Sequence, residues 1–180
     1  MKRNISISQF AIYSFIVLVF SACQYSKEPN TFSNKQVSIQ FPSYLSESND
    51  VYPAKNTLLQ AKNDYRDVFF ILVDHGQKPG NLGFEMMCDS IMSQLKKNMR
   101  EPNIEANDSS FTIGNLKAKE FQISGVLSSE QQDHRFLFVI DVFEAPNGHI
   151  YQTAGWLLRH KRPLWLKDLQ QAAYSIKIKE

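Results

Sequence analysis

Four histidines (His75, His134, His149 and His160) and two cysteines (Cys23 and Cys88) are the side chains best suited to hold a metal or attack a substrate. Their spacing does not gather them. No two histidines stand at i,i+2 or i,i+4, and no His-Glu-x-x-His occurs, so no single strand or helix face offers a ligand pair. Asp74 and His75 are adjacent and point apart on a continuous strand, so a metal site from His75, His134 and an aspartate would need folding to assemble it. There is no Gly-x-Ser-x-Gly, and Gly76, Lys78 and Gly80 lack the Gly-Lys-Ser/Thr of a phosphate loop. Carboxylates such as Glu28 and Glu130 fall in loops, with nothing to raise a pKa. The sequence assigns no catalytic residue, no metal and no cofactor.

Two further features carry chemistry. Cys88 lies on an apolar helical stripe, where a thiol behaves as a small hydrophobe and not as a nucleophile. Arg159, Lys161 and Arg162, with His160 among them, form the densest basic group and stand directly before Pro163. Basic residues at a helix start can hold an anion against free backbone N–H groups, so these three are the candidate anion or partner patch; a solvated hairpin end is the plainer reading. Trp156 and Trp165 flank the group, as core or as the rim of a partner site.

The elements that position these residues follow from periodicity. Val37, Ile39 and Phe41 alternate with polar residues and stop at Pro42, a half-buried strand. Residues 43–56 read as loop, 58–61 as a short strand, and 68–73 (VFFILV) as a strand covered on both faces. Phe84, Met87, Cys88, Ile91, Leu95 and Met99 then mark a helix, with Asn81 a fitting N-cap and Pro102 just past the end. After a loop at 101–109 come strands at 111–113, 116–124, 135–145 and 150–158. Asn147-Gly148 between the last two is a strong hairpin signal, and 125–134 closes another hairpin. Pro163 opens a last helix, with Leu166, Leu169 and Ala173 facing inward. The order predicts an α+β fold: an antiparallel sheet of about six strands with helices packed over it.

The 180 residues are 43% hydrophobic and 21% charged, with seven Gly and seven Pro, the composition of one globular domain. Charge is placed unevenly. Lys2 and Arg3 precede an apolar run at 10–20 (FAIYSFIVLVF), followed by Ser21, Ala22 and Cys23. The run is short for a bilayer span, which takes about 20 residues, and suits the apolar region of a secretory signal. Positive start, apolar middle and small-small-Cys resemble the lipobox of bacterial lipoprotein signal peptides, with Phe20 where Leu is commonest. The resemblance implies that residues 1–22 are removed and that Cys23 becomes the lipid-bearing first residue. Residues 23–35 then read as anchor and flexible tether, and 36–180 as a single domain. Removing Lys2 and Arg3 leaves 18 basic and 18 acidic side chains, so the mature chain is neutral and nucleic-acid binding is disfavoured.

Element order and local residues also resemble the PsbP-like fold family. The matching pieces are Ile39-Gln40-Phe41-Pro42, the helix at 83–99, residues 114–118, the Asn147-Gly148 hairpin and the ending at 169–177 (LQQAAYSIK). The resemblance implies an αβα sandwich with a binding or assembly role and carries over no functional residue. The expected protein is a non-catalytic module anchored by lipid in the cell envelope, with an envelope protein or small ligand as partner. The alternatives are an envelope hydrolase or redox enzyme with scattered His, Asp or Cys, favoured by a deep pocket gathering two or more of His75, Asp74, His134 and His149. A carrier would show a dry cavity beneath the 84–99 helix.

Overall fold

A computed structural model describes residues 28–80, 82–108, 110–128 and 133–179. The chain runs β1 (Asn30–Ser33), β2 (Val37–Phe41), β3 (Ser46–Glu47), β4 (Thr57–Asn63), β5 (Val68–Gln77), α1 (Phe84–Lys97), β6 (Arg100–Asn107) and β7 (Phe111–Ile113). It continues through β8 (Leu116–Ser128), β9 (Asp133–Glu144), β10 (His149–Leu158), a 3-10 turn at Arg159–Lys161, α2 (Arg162–Tyr174) and β11 (Lys177–Ile178).

The main sheet has the order β3-β4-β5-β10-β9-β8-β6, with β7 also paired to β8, and a small sheet has the order β1-β2-β11. All pairings are antiparallel. The α+β class is as expected, but among the described residues the main sheet has eight strands and not about six. The extra strands are edges: β6 occupies the span expected as a loop at 101–109, and β3 lies within the expected loop at 43–56. Part of the expected tether is also strand, because Asn30–Ser33 pairs with β2.

Each face of the main sheet carries its own core. Along β5, Val68, Phe70 and Leu72 join one cluster, while Ile71 and Val73 join the other. An apolar run without alternation therefore marks a strand covered on both sides. One face is covered by α2 and the small sheet, through Leu169, Ala172, Ala173, Val37, Ile39 and Phe41. The other is covered by α1, through Phe84 and Cys88 with Met87, Ile91, Met92 and Leu95. The helix is shorter than its apolar stripe. Met99 lies past its end and packs where a Cβ on Gly125 would meet its Sδ at 2.8 Å. Gly83 is the N-cap, and Asn81 lies outside the described residues. The space expected for a carrier cavity holds Phe121, Ile123, Ile140 and Val142.

Candidate functional site

The structure separates most of the sequence candidates. Cys23 lies outside the described residues. His75 Nε2 meets the Gln152 Oε1 at 2.8 Å, His134 sits edge-on to Phe136, and His160 is exposed in the 3-10 turn. One pair does meet: His149 Nε2 lies 2.6 Å from Asp74 Oδ1, which also accepts the Gly76 N–H, and the Tyr151 ring stacks on the imidazole. Among the described residues no group of three His, Cys, Asp or Glu could hold a metal ion. Cys88 is buried, and burial pushes its thiol up to about 12. It is protonated at neutral pH and matches the inert thiol read from the stripe.

The basic cluster is paired and not free. Arg159 Nε donates to Glu105 Oε1 at 2.9 Å, and Arg162 lies 3.7 Å from the same carboxylate. Lys161 Nζ bridges Asp67 Oδ2 at 2.7 Å and the Arg66 carbonyl at 3.1 Å. Arg159 first, then the Ser124 hydroxyl, holds the Glu105 carboxyl down at about 2. Each cation expected to receive an anion thus already has one from β6 or from the turn before β5.

A buried polar network beneath α2 was not foreseen. Glu120 on β8, Asp141 on β9 and Thr153 on β10 lie directly opposite one another in register, each at most 1% exposed. Three donors converge on Glu120: Gln122 Nε2 and Gln170 Nε2 at 2.8 Å on Oε1, and the Tyr174 hydroxyl at 2.5 Å on Oε2. Thr153 donates weakly to Asp141 Oδ2 at 3.4 Å, and Asp141 Oδ1 is buried without a hydrogen-bond partner among the described residues. Burial first, then the facing Glu120 carboxylate, pushes the Asp141 carboxyl well above the carboxylate range. A protonated Asp141 can donate to Glu120, which resolves both the orphaned oxygen and the like-charge contact. Asp141 lies on a strand, apart from the loop carboxylates such as Glu28 and Glu130 for which nothing was expected to raise a pKa.

The network fixes one flank of α2. Arg162, Gln170 and Tyr174 form one stripe of the helix and reach Gln122 or Glu120. Its centre rests on Gly155, where a Cβ would stand 2.9 Å from both Leu169 methyls, so only glycine admits the helix this close. Its third flank forms the wall of a groove.

That groove has a volume of about 860 Å³ and runs between the end of β2 and α2, with Pro29, Gln40, Ser43, Asp168, Gln171 and Ser175 among its lining. The Tyr44 hydroxyl donates to Asp168 Oδ2 at 3.0 Å, and burial with that carboxylate pushes its phenol up. The Arg66 guanidinium lies 4.6 Å over the Tyr44 ring and 4.8 Å over the Trp165 ring, and those two rings tilt together at 4.9 Å. A guanidinium that is held on two aromatic faces and lines the groove can offer its donor fork to an acceptor there. Trp165 is half-buried and packs against the core on the α2 side, while Trp156 packs against the core of the opposite face, stacked with Phe69 and Phe138.

Similarity in structure is broad and in sequence slight. The cyanobacterial PsbP (CyanoP) of Synechocystis sp. PCC 6803 aligns with a TM-score of 0.60 over 88% of this chain and 96% of its own, at 6% identity. The fold is PsbP-like. Two other solved structures extend this likeness. LpqN of Mycobacterium tuberculosis, described as involved in cell envelope biogenesis, aligns with a TM-score of 0.55 at 12% identity, over 87% of this chain and 88% of its own. The Ran-binding protein Mog1p of Saccharomyces cerevisiae aligns at 0.56 and 7% identity, over 83% and 96%. No protein-family model matches the sequence, and no curated protein matches it at the sequence level. The PsbP-like architecture accounts for the αβα layering; the groove and the buried network are read from this chain's own residues.

Proposed function

We propose that the chain is a lipid-anchored protein of the bacterial cell envelope, held through Cys23, whose PsbP-like domain is a non-catalytic binding or assembly module. The groove beside α2 is its binding surface. The observation that carries this reading is the groove itself: a concavity of about 860 Å³ with Arg66 mounted on two rings at one end and amide and hydroxyl groups along its length. Such a mixture suits a ligand with apolar surface and at least one acceptor group. The cluster at Arg159, Lys161 and Arg162 supports it from outside, by tying α2 to Glu105 and Asp67. An envelope location is supported by the apolar run and Ser21-Ala22-Cys23, and by the description of LpqN.

Two experiments test the reading. Cys23→Ser should abolish incorporation of labelled fatty acid and release the protein from membranes; continued labelling would end the anchor assignment. A photo-crosslinking residue at Gln171, in the groove wall, should capture a partner from intact envelopes, whereas one at Lys97, at the end of α1, should not. Equal capture from both positions would reject the groove. An envelope hydrolase is the second reading, favoured by the Asp74–His149 contact at 2.6 Å. It would require turnover of an ester probe that His149→Ala abolishes.

A further inference from the structure

We propose that the corner formed by the β4–β5 turn and the start of α2 is a membrane-docking surface that lays the groove-bearing side of the domain against the anionic bilayer holding its anchor. The proposal rests on the anchor reading, and adds to it a second contact and an orientation.

Two apolar side chains protrude at this corner. Tyr65 is 96% exposed and Leu164 is 65% exposed, the two highest values among the large hydrophobic residues described. They belong to one surface. Arg66, next to Tyr65, stacks on Trp165, next to Leu164, and Lys161 joins the two segments through the Arg66 carbonyl and Asp67. Exposed Tyr and Leu beside a half-buried Trp form the amphipathic grouping that settles at the headgroup level of a bilayer.

The charges are arranged to match. Asp67 is paired with Lys161, Asp64 with Lys62, and Asp168 accepts the Tyr44 hydroxyl. Arg66 and Lys167 have no carboxylate within 4.0 Å among the described residues. Lys167 follows Leu164 by three positions, on the same exposed stripe of α2. The corner therefore offers lipid phosphates two cations beside its apolar tips, and Arg66 has the planar donor fork that suits phosphate.

Chain length supplies the third argument. Pro29 lines the groove together with Arg66, and only six residue steps separate it from Cys23. A fully extended chain spans about 3.3–3.6 Å per residue, so an acylated Cys23 holds this side of the domain within roughly 20 Å of the bilayer. With so short a leash, even a weak surface contact is strengthened by its high effective concentration. The opposite face, beneath α1, has no such constraint.

The test uses the full lipoprotein reconstituted into vesicles of phosphatidylcholine and phosphatidylglycerol. Cys88 is buried and Cys23 is acylated, so Leu164→Cys supplies the one reactive thiol for a polarity-sensitive fluorophore. Its emission should shift to the blue and brighten severalfold in vesicles, while the same probe on Lys97→Cys stays water-like. Adding Tyr65→Ser and Arg66→Gln should remove the shift while the protein still floats with the vesicles and keeps the circular dichroism spectrum of the folded domain. A floating protein whose Leu164 probe remains water-like overturns the docking surface and leaves the anchor standing. Failure to float refutes the anchor, and a Leu164 shift on added vesicles would then sustain docking alone. A shift in native membranes but not in protein-free vesicles would reassign the corner to a protein partner.

Discussion

Replacing Asp141 by asparagine should flatten the pH dependence of stability and make the protein more stable at neutral pH than the wild type. Asp141 is 1% exposed, faces Glu120 in register and leaves Oδ1 without a hydrogen-bond partner among the described residues. Its carboxyl is raised by burial and by that neighbouring charge. A raised carboxyl pKa means that the folded state binds a proton which the unfolded chain, with an aspartate near 3.9, has already released. Stability from this group is thus complete below about pH 3.9 and is lost as pH rises toward the folded value. One proton corresponds to a slope of at most about 1.4 kcal/mol per pH unit. Between pH 5 and 7 the wild type would lose at most about 2.7 kcal/mol through this residue, whereas the amide of the variant has no proton to lose.

The substitution retains the contacts. An amide can donate to Glu120 and accept from Thr153, as the protonated acid does. Denaturant unfolding of both proteins at pH 5, 6, 7 and 8 reads the difference directly. The two curves should converge near pH 4 and separate as pH rises, with the variant above. Parallel curves across that range would show that Asp141 is ionised or hydrated in the folded protein, and the reasoning from burial would fail.

Other outcomes follow from the same geometry. Gly155→Ala places a Cβ 2.9 Å from the Leu169 methyls and should cost about 1–3 kcal/mol by lifting α2, read as a lower denaturation midpoint. Cys88 should react slowly with a thiol reagent in the folded protein and fast in denaturant, and Cys88→Ala should cost about 1 kcal/mol. Arg159→Glu with Arg162→Glu sets two carboxylates against Glu105 and should lower the melting temperature at neutral pH. Because the Glu105 pKa is depressed to about 2, its contribution is present above the unfolded value near 4.3 and fades as pH falls toward 2. The double variant's deficit should shrink over that acid window. An unchanged melting temperature at neutral pH would show that these pairs contribute nothing.

What the sequence made legible is what burial writes into it. The unbroken apolar run of β5, the stripe of α1 and the alternation of β2 each report a face turned inward. The strands it hid are edges. Arg100–Asn107 and Asn30–Ser33 are mostly exposed and are held by backbone hydrogen bonds to β8 and β2, which hydropathy does not register. Pro102 is compatible with β6 because β6 is an edge strand. The groove was equally hidden. Tyr44, Arg66 and Asp168 come from three separate segments, and no spacing along the chain announces their meeting.

The buried acid differs, because its signal was present and depended on one residue of register. In β9 both faces are apolar: Leu137, Val139 and Phe143 alternate with Phe138, Ile140 and Val142, all buried. A lone Asp141 in that run has no wet face to turn to, which is itself a sign of a pKa shift or a specific partner. The partner follows from the turn. A two-residue Asn147-Gly148 turn would pair Pro146 with His149, and would set Asp141 against Ala154. The observed turn spans residues 145–148, closed by the Gly148 N–H on the Ala145 carbonyl at 2.8 Å, with Gly148 at a φ of +81°. Pro at its second position and Gly at its fourth are the residues such a turn favours, and the left-handed glycine adds the bulge that completes a three-residue hairpin loop. That single step places Asp141 opposite Thr153. Pro146 therefore does more than punctuate the chain: by selecting the longer turn it gives the buried carboxyl its hydroxyl donor in place of a methyl group.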